Sequence, residues 1–252
     1  MSRISIRCIA LASSACFLFA LAGCKAPGKP GPAEPRPDQV MEFGKLYKQN
    51  CAACHGDEGK RGLAVSLSNP VYIAIAGKDA IRAATANGGP GKLMPAFARS
   101  RGGTLTDAQI EVLTNGIVQR WGHPQLLTGQ NPPPYAATTT GDAAAGKVAY
   151  ATYCASCHAV KVIDKTHMAG PVADANYLAL ISDQGLRTAI LAGSPEEGMP
   201  DWRSIAPAPL TDRQVTDIVA WLATLRNRSA TQSAPASSAT NSPMQGKEMN
   251  HE

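Results

Sequence analysis

The chain of 252 residues is poor in aromatic side chains, with Phe, Trp and Tyr making up only 5% of it. So few rings fit domains whose core is completed by something other than side chains. No β-alternating run of useful length is present, so the expected fold class is all-α. The apolar run from Ile9 to Ala20 is too short for a comfortable membrane span. Excess charge is also lacking. The formal net charge is +5, and it falls to +3 without Arg3 and Arg7 at the extreme N-terminus. That leaves nucleic-acid binding without an electrostatic case.

Positive Arg3 and Arg7, the apolar run and the small residues after it read as an export signal spanning residues 1–23. Its ending, Leu21-Ala22-Gly23-Cys24, resembles the bacterial lipoprotein signal, in which cleavage precedes the cysteine and lipid is attached to its sulfur. Acyl chains contribute about 0.8 kcal/mol per buried methylene, enough for stable attachment when several are present. The alternatives are an ordinary cleaved signal or an uncleaved anchor helix. On the lipoprotein reading the protein is exported and held on the periplasmic side of a bacterial membrane through Cys24. The stretch KAPGKPGPAEPRPD follows, and its spaced prolines favour an extended tether over residues 24–37.

The folded part contains a repeat. Tyr47 and Tyr150 each stand four residues before a cysteine, Cys51 and Cys154. Arg82 and Arg187 precede Gly88 and Gly193 by the same interval. Met94-Pro95 matches Met199-Pro200, Phe97 matches Trp202, and Leu105-Thr106-Asp107 matches Leu210-Thr211-Asp212. From Arg82 onward the register has no gap, which implies duplication. The boundaries read as domain one over 38–122, a Pro-rich linker over 123–140, domain two over 141–226 and a Ser/Ala/Thr-rich tail over 227–252, expected to be disordered. Met244, Met249 and His251 lie in that tail.

Each half ends in an amphipathic helix pattern. Ile110, Leu113, Ile117 and Trp121 share one face, as do Val215, Ile218, Val219 and Leu222. Thr106 with Gln109, and Thr211 with Gln214, read as capping boxes. Asp107 and Asp212 in the first turns suit the helix dipole.

The seven cysteines leave none spare for a disulfide or a nucleophile. Cys8 and Cys16 fall in the signal and Cys24 is the lipid site. Cys51, Cys54, Cys154 and Cys157 all sit in C-x-x-C-H, completed by His55 and His158. A lone C-x-x-C could be a redox dithiol or half a zinc site. Two copies, each followed at once by histidine in an exported chain, point instead to covalent haem attachment. Residues three apart share a helical face, so two thiols reach two vinyl groups while the imidazole reaches the iron. The expected cofactors are two covalently attached haem c groups.

Each domain resembles a small class I cytochrome c, and the chain resembles a tandem di-haem cytochrome c lipoprotein over nearly all of residues 38–226. The resemblance implies a first helix ending in C-x-x-C-H, a Pro-containing loop supporting the histidine, a Met-Pro loop giving the sixth ligand, and a last helix crossing the first. It places Met41, Phe43 and Tyr47 in the first helix of domain one, and Tyr150 and Tyr153 in that of domain two. It also implies that Pro70 and Pro171 supply carbonyls to the second ring nitrogens of His55 and His158, fixing their tautomer.

In domain one Met94 is the only methionine between Cys54 and the linker. Domain two offers His167, Met168 and Met199. The family's loop ending in Gly-Pro, here Ala169-Gly170-Pro171, puts His167 and Met168 on the His158 side of the haem, while Met199 matches Met94. His55, Met94, His158 and Met199 are therefore the expected iron ligands, with His167 the alternative to Met199 in domain two. Ala159 departs from the family's glycine, leaving the turn after His158 open. Arg82 and Arg187 are either partners for haem propionates or surface arginines.

His/Met ligation saturates the iron and raises its potential relative to His/His. The resemblance thus implies an electron carrier rather than an enzyme, passing electrons between a redox protein donor and acceptor. It would act alone or as the cytochrome subunit of a quinol-oxidising, oxidase or dehydrogenase complex in a respiratory chain. The rival class is a di-haem enzyme. A peroxidase needs an open iron position, and the sulfur-compound-oxidising type tends to use a cysteine ligand.

Overall fold

The computed structural model describes residues 34–89, 91, 93–158 and 172–226. The chain divides into two units, Met1–Gln39 and Val40–Glu252. In the first, a 3-10 turn covers Pro37–Gln39. Cys24, His167, Met168, Pro171 and the tail lie outside the described residues. Among the described residues there is no strand, and no helix is long and apolar enough to cross a membrane.

The second unit holds two sets of helices. The first set is α1 (Phe43–Asn50), α2 (Ala52–His55), α3 (Pro70–Asn87) and α4 (Asp107–Trp121). The second is α5 (Ala143–Tyr153), α6 (Ala175–Leu180), α7 (Asp183–Ala192) and α8 (Asp212–Arg226). Gly77, at φ 71°, kinks α3. Its counterpart Ser182 stands between α6 and α7 and accepts the Gly185 N–H as the cap of α7. The register therefore runs back beyond Arg82. Asn69 caps α3 and Asp174 caps α6, at the same offset that separates Met94 from Met199.

Both expected capping boxes form. Gln109 N–H donates to Thr106 Oγ1 and Thr106 N–H to Gln109 Oε1. Thr211 and Gln214 repeat the exchange. Ile110, Leu113 and Ile117 on α4, and Val215, Ile218 and Leu222 on α8, are almost wholly buried. Met41 precedes α1 and is exposed, so the first helix begins two residues later than expected.

First and last helices pack together in each half, with the bulk exchanged. In the first half the ring of Phe43 lies on Gly116, where a Cβ would meet it at 2.1 Å. In the second half the equivalent positions carry Gly146 on the first helix and Trp221 on the last. Trp221 packs on Tyr150 with centroids 4.5 Å apart. One large and one absent side chain fill each crossing, and which helix supplies the ring is reversed.

The two halves are packed, not strung. Val71 of α3 is buried in the second half's core, and Ala192 of α7 in the first half's. Their equivalents, Asn176 and Asn87, are polar and exposed. The 123–140 segment is fixed by Arg187, which is buried. Its guanidinium donates to Pro134 O and Tyr135 O, to Thr216 Oγ1 and to Asp212. Arg82 is half-exposed and pairs with Glu111 across to α4. Arg187 thus serves packing, because a buried guanidinium has its donors consumed by carbonyls and a carboxylate; Arg82 is the surface arginine.

Candidate haem-binding sites

Cys51 closes α1 and opens the turn of α2. The N–H groups of Cys54 and His55 both donate to Cys51 O, at 3.2 and 3.0 Å. The second half repeats this, with Cys157 and His158 donating to Cys154 O at 3.2 and 2.8 Å. One turn therefore brings both thiols and the imidazole to one side of the helix end. All four cysteines are unpaired; Cys51 and Cys154 are half-buried, while Cys54 and Cys157 are exposed. Burial, and then the neighbouring cysteine, push the Cys51 thiol up to about 12 and that of Cys154 to about 11. Both inner sulfurs are thus held as neutral thiols.

His55 is buried, and its Nδ1 donates to Val65 O at 2.8 Å. That bond fixes the tautomer, leaving the Nε2 lone pair to face a metal. Burial lowers the imidazole's pKa, partly offset by the Val65 carbonyl, so the ring is kept neutral. Pro70, the expected partner, does not make this bond. Pro70 occupies the first helical position of α3, where its missing N–H costs nothing, and the carbonyl that reaches the ring is five residues earlier. No residue type marks Val65 for this role, since any residue can supply a backbone carbonyl. Pro171, the expected partner of His158, lies outside the described residues.

Tyrosines steady both turns, a role the repeat marked only as an equivalence. Tyr47 Oη donates to Gly56 O at 2.8 Å and Tyr150 Oη to His158 O at 2.5 Å. Gly56 has φ 80°, and a Cβ there would stand 1.9 Å from Lys60 O. Only glycine fits this position.

The methionine loops are built alike. Gly88 and Gly193 have φ 85° and 66°, and a Cβ on either would fall within 2.8 Å of the methionine carbonyl. Gly89 N–H donates to Met94 O at 3.0 Å, and Ser194 N–H to Met199 O at 2.9 Å. Leu105 N–H to Phe97 O, and Leu210 N–H to Trp202 O, close the loops behind them. Met94 and Met199 are each partly exposed.

The residues present fit a haem. In the first half two free thiols, an imidazole with a fixed tautomer and a soft thioether loop form the donor set such a group takes, and the second half repeats the thiols, the histidine and the thioether loop. In addition, Trp202 is buried, yet its Nε1 has no acceptor among the described residues. A buried donor left unpaired costs about 1–3 kcal/mol, and a haem carboxylate is an acceptor of the kind it lacks.

A match to a known family agrees with this geometry. The family described as cytochrome C oxidase, cbb3-type, subunit III matches residues 38–115 and again 141–222. A comparison with curated proteins finds no match. Among solved structures, a chain of the Kuenenia stuttgartiensis reducing HAO-like protein complex aligns over 77% of this chain and 99% of its own, with 17% identity and a TM-score of 0.42. With both halves matched and both C-x-x-C-H turns in place, the chain belongs to the cbb3-type cytochrome c oxidase subunit III family and is a di-haem c-type cytochrome with two covalently bound haem c groups.

Proposed function

We propose that this protein is a membrane-tethered electron carrier in which each iron takes one histidine and one methionine, His55 with Met94 and His158 with Met199. Haem, when bound, supplies an iron that changes between ferric and ferrous states. The chain's part is to hold that change in a nearly fixed frame. Cys51 and Cys54, and Cys154 and Cys157, anchor the group; Val65 O keeps the His55 ring turned; Gly88 and Gly193 let the methionine loops fold back. A saturated iron has no position for a substrate, which favours outer-sphere transfer. Thioether ligation favours the reduced state.

The single observation that carries this reading is the duplicated Met loop, with glycine, backbone pairing and methionine in the same places in both halves. Lipid on Cys24 would hold the protein at the periplasmic side of a bacterial membrane. Its donor and acceptor are redox proteins that dock transiently through modest interfaces. The family name favours an oxidase-type respiratory complex among them.

Two tests bear on it. The oxidised, purified protein should be low-spin at both irons and bind cyanide only slowly; rapid binding with a high-spin signal at either iron would support a di-haem enzyme instead. Cells fed labelled palmitate should label the wild type and not Cys24→Ala. Label retained in the variant would defeat the tether.

A further inference from the structure

Asn69 is buried, 2% exposed, and it does two things at once. Its Oδ1 accepts the N–H groups of Val71 and Tyr72 at 2.9 and 3.3 Å, capping α3. Its Nδ2 crosses to the other half, donating to Ala192 O at 2.9 Å with a longer contact to Gly193 O at 3.4 Å. Those carbonyls end α7, where the helix leaves acceptors without intrahelical partners. They are also the root of the Met199 loop, since Gly193 packs against Met199 O and Ser194 pairs with Met199. On its own side Asn69 closes the loop that begins at Val65, the support of His55, and its N–H donates to Ser66 O. Ser66 reaches across as well, to Glu196 Oε1 at 3.0 Å.

The repeat isolates which atom matters. Asp174, the equivalent of Asn69, makes the same cap with Asn176 and Tyr177 N–H groups and is exposed. A carboxylate caps as well as an amide but has no donor. The half whose cap faces solvent carries Asp, and the half whose cap faces α7 carries Asn.

We propose that Asn69 is a positioning residue for the sixth ligand of the second haem: its amide pins the root of the Met199 loop to the loop that steadies His55. This rests on Met199 being that ligand. Ligation in the second half thereby depends on the first half being folded.

The test uses the full holoprotein and Asn69→Asp, which keeps the cap, removes the donor and sets a carboxylate against two carbonyls. One net hydrogen bond is lost and carboxylate–carbonyl repulsion adds to that loss, so an effect near tenfold is expected. In the reduced protein, amide exchange at Ser194 and Met199 should be about tenfold faster while Gly89, paired with Met94, is unchanged. In the oxidised protein, imidazole should displace methionine from one haem at about tenfold lower concentration and leave the other alone. Asp174→Asn should alter neither haem. Unchanged exchange at Ser194 and Met199, or equal effects on both haems, overturns the bridge. If instead Met199→Ala leaves both methionine-to-iron absorption bands intact in otherwise wild-type protein, the ligand reading fails, whatever the exchange shows.

Discussion

Gly146→Ala should cost the second half much of its stability, although alanine is the better helix former. Gly146 is buried where α5 crosses α8. A Cβ there would lie 1.8 Å from Asp217 O, 2.4 Å from its carbonyl carbon and 3.0 Å from Ile218 N. Optimal carbon contacts lie at about 3.5–4.0 Å, so the helices must part by more than an ångström, since the obstacle is backbone. Such overpacking costs about 1–3 kcal/mol. Separation also loosens the Tyr150–Trp221 stack, worth about 0.5–1.5 kcal/mol. Against these stands a helix-propensity gain of about 1 kcal/mol. The net is about 2 kcal/mol of destabilisation, a fall in Tm of about 4–8 °C for a unit of this size. Thermal unfolding of the holoprotein by circular dichroism reads it. Gly116→Ala is the comparison: its Cβ would meet the Phe43 ring at 2.1 Å, and a side chain can turn away, so the loss should be smaller. A Gly146→Ala protein as stable as wild type, or more so, would refute the account of the crossing.

Arg187→Met leaves Asp212 and the Pro134 carbonyl without their donor, and Tyr135 O with Gln184 Nε2 alone; breaking a buried pair costs about 3–5 kcal/mol, and the partial exposure of Asp212 puts this one at the lower end. Limited proteolysis should then cut within 123–140 in the variant and spare the wild type. Asp201 is pushed up by burial, but hydrogen bonds and charge from Arg203 outweigh this and hold its pKa below the usual value. Its contribution is present above the ordinary carboxylate pKa and lost as pH falls through the lowered native one. The stability gap between wild type and Arg203→Gln should therefore be open at neutral pH and shrink in acid by chemical denaturation; a gap independent of pH contradicts the pairing. In haem-free chain, iodoacetamide should label exposed Cys54 and Cys157 before Cys51 and Cys154, as mass spectrometry of peptides would show.

Much of this molecule is legible in its sequence because duplication prints each structural requirement twice. The capping boxes at Thr106 and Thr211, the buried faces of α4 and α8, and the glycines before each methionine are local requirements met by residue type. What sequence reasoning missed depends on tertiary neighbours. Val65 acts through its carbonyl, which leaves no mark on side-chain choice. Pro70 looked like the supporting residue because proline often marks that loop, yet its ring suits the start of α3. Arg187 reads like Arg82 in register, and only the packing of Pro134 and Tyr135 against it makes one buried and the other a surface partner of Glu111. The differences between the repeats, Val71 for Asn176, Ala192 for Asn87 and Asn69 for Asp174, carried the signal of the contact between halves.

The central claim is that both irons are held by histidine and methionine in equivalent loops. The most direct measurement is the methionine-to-ferric-iron charge-transfer band of the oxidised protein, quantified per haem in wild type, Met94→Ala and Met199→Ala. The account predicts two haems' worth of the band in wild type and half of it in each variant, with both haems still covalently bound. A wild-type spectrum lacking the band at either haem, or a variant that keeps both, would contradict it.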